Sequence, residues 1–93
     1  MRIIGNIEHP DWKITVFKMD NRLSVKLETG LYEQIFKFRQ GEGMENLEDI
    51  RAFLDQDFLA AAALHFSSMH QARLAAQARK DAAEGEESFD EII

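Results

Sequence analysis

The chain has 93 residues and a mass of 10.7 kDa, of which 45% is hydrophobic and 30% charged, enough for one small domain with a core. It contains no cysteine, which excludes a disulfide scaffold, a cysteine zinc site, an iron–sulfur cluster and a cysteine nucleophile. The formal net charge of −6 works against a primary role on nucleic acid or an anionic membrane.

The first forty residues predict a β-meander with strands at about 2–8, 12–19, 22–28 and 31–39. Ile3, Gly5 and Ile7 alternate with Ile4, Asn6 and Glu8. After His9-Pro10, Trp12, Ile14 and Val16 take alternate positions. Leu23, Val25 and Leu27 follow Asp20-Asn21 and form the cleanest period-2 run. Tyr32, Gln34, Phe36 and Phe38 follow Thr29-Gly30 in the same way. Two-residue loops at 9–10, 20–21 and 29–30 would pair Ile7 with Trp12, Ile3 with Val16, Val16 with Val25, Ile14 with Leu27, Leu27 with Tyr32 and Leu23 with Phe36. Every apolar alternation then falls on one face, while Lys13 meets Glu28 and Lys26 meets Glu33 on the other.

Gln40-Gly41-Glu42-Gly43 breaks the pattern, and Asn46 is suited to cap a helix expected over about 47–82. Leu47, Ile50, Leu54, Phe58, Ala61, Ala62, His65, Met69, Ala72 and Ala76 form a broad stripe able to cover the sheet. The expected fold is therefore α+β, in two layers: a four-stranded antiparallel β-meander with one face covered by a long C-terminal α-helix. Residues 1–83 would form that single domain. A helix from Asn46 to Ala83 would be roughly 55 Å long, against about 30 Å for the strands. It must overhang the sheet or break, and Asp55-Gln56-Asp57 and Ser67-Ser68 are the weakest places. Phe53, Leu59, Leu64, Phe66 and Leu74 lie off the stripe. They would be buried by a second copy packing helix on helix, or by two shorter helices folding back on each other.

Residues 84–93 read as a disordered acidic tail. Phe89, Ile92 and Ile93 are interleaved there with acids, as in a docking peptide. No apolar run approaches the ~18–20 residues of a bilayer span, and Met1–Asn6 does not open a signal sequence, so a cytoplasmic location is expected.

No nucleotide-binding loop, nucleophile elbow or metal-ligand spacing is present in the sequence. His65 and His70 are five apart, which separates them round a helix. The expectation is a non-enzymatic protein-interaction module with no cofactor and no metal. It self-associates, as a dimer, and meets an unknown protein partner through the outer sheet face (Phe17, Ile35) or the C-terminal peptide. The alternative is a binder of single-stranded nucleic acid using Phe17, Lys26, Ile35, Lys37 and Arg39. A third class, a small enzyme, would need a concave pocket with convergent polar groups.

Overall fold

A computed structural model of the chain describes residues 1–92, with side chains described through Glu84. Four strands run in chain order: β1 (Arg2–Ile7), β2 (Lys13–Met19), β3 (Arg22–Thr29) and β4 (Tyr32–Lys37). They form one antiparallel sheet in the order β1-β2-β3-β4, followed by α1 (Leu47–Phe53) and α2 (Gln56–Ile92). The α+β meander is the fold that the alternating runs dictate. The chain divides into two units, Met1–Ala62 and Ala63–Ile93.

In the first unit the central hairpin has the expected register. Lys13 pairs with Glu28, Ile14 with Leu27 and Val16 with Val25. The Asp20-Asn21 loop closes it, with Asp20 at φ 56°, a region that Asp visits more readily than bulkier residues. The other two hairpins differ from expectation. Between β3 and β4 the loop is Gly30-Leu31, not Thr29-Gly30, because Gly30 takes the positive φ that the first loop position requires. Thr29 therefore pairs with Tyr32, Leu27 with Gln34 and Val25 with Phe36, two residues away from the expected partners. A two-residue slip preserves the faces. Lys26 now sits opposite Ile35 instead of Glu33, and Glu33 lies opposite Glu28.

Between β1 and β2 the connection is longer than a two-residue turn. Both the Asp11 and the Trp12 backbone N–H donate to His9 Nδ1, at 3.1 and 3.2 Å. The His9 ring stacks on Trp12 with centroids 4.4 Å apart. This draws residues 8–12 into the loop, so Ile7 pairs with Ile14 instead of Trp12. A bulge then follows between Ile3 and Gly5: Gly5 pairs with Val16, but Ile3 pairs with Phe17. The extra residue switches Ile3 from the inner face, where strict alternation puts it, to the outer one.

The core of this unit lies under the inner face. Ile14, Val16, Leu23, Val25, Leu27, Phe38, Ile50, Leu54 and Ala62 are buried. Asn46 caps α1, its side chain accepting from the Asp49 N–H at 2.9 Å, while Asp49 reaches back to the Glu45 N–H. The helix ends at Leu54, and Asp55 opens α2 by accepting from the Phe58 N–H at 2.8 Å. The break therefore falls at the first of the two weak places, and α2 runs unbroken through Ser67-Ser68. A new helix axis lets Phe53 and Phe58 point into one cluster. Phe36 meets Phe58 edge-on, Phe38 meets Phe53 edge-on, and Phe53 packs against Phe58 at 4.7 Å. Gln34, on the inner face, donates to the Ala62 carbonyl at 2.9 Å.

In the second unit, Phe66 is buried and Met69 half-buried, and every other residue from 63 to 84 is exposed. Of the residues expected on the stripe, Ala62 is buried, whereas Ala61 and His65 are exposed. Helix α2 continues to Ile92, past position 82, where the sequence pattern ended it.

Candidate functional site

The outer face of the sheet carries side chains from all four strands, set in cross-strand rows. Pairing places Ile3, Phe17, Ser24 and Lys37 in one row. The next holds Asn6, Thr15, Lys26 and Ile35, and a third holds Lys13, Glu28 and Glu33. Met19 and Arg22 pair at the end next to the β2–β3 loop. There, Met19, Arg22, Ser24, Lys37 and Arg39 line a shallow cleft.

Burial across this face is uneven. Thr15 is 3% exposed and Phe17 is half-buried, whereas Ile3 is 59% and Ile35 52% exposed. The two exposed isoleucines come from the two edge strands, where neighbouring side chains cover least. Lys26 sits centrally. Its ammonium lies 5.4 Å from the centroid of the Phe17 ring and 3.6 Å from a Glu28 carboxylate oxygen. Ile3, Phe17, Ile35 and Met19 are therefore interspersed with Lys26, which sits between Phe17 and Ile35, and are flanked by Lys37, Arg22 and Arg39, with Asp20 also lining the cleft. Glu28 and Glu33 lie at the far end.

Of the two residues expected to bind a partner on this face, Phe17 and Ile35 do share it, on a diagonal around Lys26 and Ser24. The nucleic-acid alternative fares differently in detail. Lys26 already occupies a face of the Phe17 ring, and Arg39 lies beyond the end of β4, beside the cleft. Ile3 was not among the expected site residues. An isolated glycine inside a strand pattern is the signal that points to a bulge, and Gly5 is that residue.

The five residues expected to drive self-association separate into two groups. Phe53 belongs to the aromatic cluster, Leu59 is half-buried and Phe66 is buried. Leu64 and Leu74 remain, at 71% and 50% exposure. The side chains of Phe89 and Ile92, and all of Ile93, lie outside the described residues.

Among the described residues, no group of three or more His, Asp or Glu side chains is arranged to hold a metal ion. No helix there is long and apolar enough to cross a membrane. No protein-family model matches this chain, and no curated protein or solved structure matches it significantly.

Proposed function

We propose that this chain is a non-enzymatic, self-associating protein-interaction module whose outer sheet face receives an acidic, apolar-bearing segment of a partner protein. The observation that carries this reading is the pair of exposed isoleucines, Ile3 and Ile35, on either side of half-buried Phe17, with Lys26 between them and Lys37, Arg22 and Arg39 alongside. The chain as a whole has a net charge of −6, so these cations stand against the overall balance. Flanking cations steer an acidic partner, and burial of the apolar side chains supplies affinity.

Single-stranded nucleic acid is the less supported occupant. A base stacks on a free aromatic face, and Lys26 covers one face of Phe17 while its charge is shared with Glu28. The two readings separate by experiment. Affinity capture with the full chain and with an Ile3→Thr/Ile35→Thr variant, both at exposed positions of the edge strands, should yield a partner that the variant loses with little change in melting temperature. The same capture profile from both proteins would contradict the sheet-face reading. Oligonucleotide binding that weakens steeply with salt would favour the nucleic-acid reading instead.

A further inference from the structure

Charge is segregated along α2. Residues 58–80 carry Arg73, Arg79 and Lys80 and no acid, whereas residues 81–93 carry six acids and no base. An acidic C-terminal end opposes the helix dipole, which favours cations there, and the last turn has no basic residue. Within the second unit, Leu64 lies about 160° round the helix from the buried Phe66 and is 71% exposed. From Leu64 an alternating four–three spacing runs through Ser68, Gln71, Ala75, Ala78 and Ala82, all of them exposed, with Leu74 alongside. Carried on in sequence, the same spacing passes Gly85 and reaches Phe89 and Ile92. A repeat that averages 3.5 residues keeps one seam of a helix turned toward a partner helix.

We infer that this face of α2 pairs with the same face of a second copy, and that the two helices run antiparallel. The inference rests on the self-association in the proposed function and adds its surface and orientation. Charge selects the orientation. An antiparallel pair sets each acid-rich end against the acid-free stretch of the other copy, and each helix dipole meets its opposite. A parallel pair would stack six acids on six acids. Overlap centred near Ala78 brings the small residues of both helices together in the middle, allowing close approach. It also places position 64 of one copy beside position 92 of the other.

The chain lacks cysteine, so introduced thiols report the geometry directly. Full-length Ala78→Cys and Leu64→Cys variants, oxidised under mild conditions, should behave differently. Ala78→Cys forms a covalent dimer. Leu64→Cys does not, because its two copies lie roughly 40 Å apart in this pairing, far beyond the ~7 Å limit between bridged Cα atoms. A mixture of Leu64→Cys and Ile92→Cys chains links across copies. Both 64 and 78 are exposed, and unchanged melting curves of the reduced proteins would confirm that the variants fold. An Arg73→Glu variant, whose position falls between Asp81 and Glu84 of the other copy, should weaken the dimer roughly tenfold. Efficient self-linking of Leu64→Cys would overturn the antiparallel orientation while leaving self-association standing. A dimer that links at neither position would overturn the seam. A chain that is monomeric by sedimentation and links nowhere would overturn both this inference and the self-association it rests on. The sheet-face reading would be untouched.

Discussion

Gly5 sets the outer face by what it allows on the inner one. A Cβ at this position would lie 3.0 Å from Leu47 Cδ2 of α1, tighter than ordinary contact, so the Leu47 side chain would have to give way to a larger residue. Gly5→Val is therefore expected to destabilise the fold by about 1–3 kcal/mol. Trimming the obstacle in a Gly5→Val/Leu47→Ala double variant should recover part of that loss, measured by chemical denaturation as a double-mutant cycle. The same strand shows where reading residues one at a time reaches its limit. Alternation places Ile7 and Gly5 on the inner face correctly, but it cannot count through a bulge, so it puts Ile3 on the wrong side. It also cannot see a histidine ring organising a loop: His9 draws in two N–H groups and lengthens the β1–β2 connection beyond the two residues its His-Pro pair suggests. A second local prediction concerns Glu33, which lies opposite Glu28 in the ladder. Like charges directly opposite are unfavourable, so Glu33→Lys should stabilise the sheet by about 0.2–1 kcal/mol, read as a rise in melting temperature.

Among the elements, the helix break carries the most consequence. Asp55 accepts from the Phe58 N–H and starts a new helix, so removing that acceptor with Asp55→Ala should lower stability by about 1 kcal/mol. Phe58, which contacts both Phe36 and Phe53, should lose about 3 kcal/mol on replacement by alanine, with the effect seen in denaturant midpoints. The pattern of Asp55-Gln56-Asp57 marks the place of the break, because polar residues with cap chemistry interrupt the apolar stripe. The change of phase that follows is not legible in that pattern. A single continuous helix puts Phe53 on an outward face, whereas two helices with separate axes bring it onto Phe38. Strand existence and the central hairpin register follow directly from period-2 runs flanking Asp20-Asn21. The β3–β4 register depends on one backbone angle, that of Gly30, and alternation alone is satisfied equally by either of two loops.

At the scale of the whole chain, two surfaces carry the proposed interactions. The outer sheet face gathers apolar side chains among cationic ones on an acidic protein. The second unit is a helix whose described residues are nearly all exposed, with large apolar groups at Leu64 and Leu74. A helix this exposed gains little beyond its own propensity, and the alanines and the Lys80–Glu84 pair supply only part of what further packing would add. The proposed pairing with a second copy would add burial and set the acid-rich end against a stretch that carries no acid. Deleting residues 88–93 should therefore weaken the dimer while leaving the melting of the sheet unit nearly unchanged, as followed by circular dichroism at a concentration where the parent chain is dimeric. The most direct measurement is sedimentation equilibrium of the full chain at micromolar concentration, beside a Leu64→Glu variant. The account predicts twice the 10.7 kDa chain mass for the parent and a single chain mass for the variant. A parent protein that sediments as one chain at every concentration tested would contradict it.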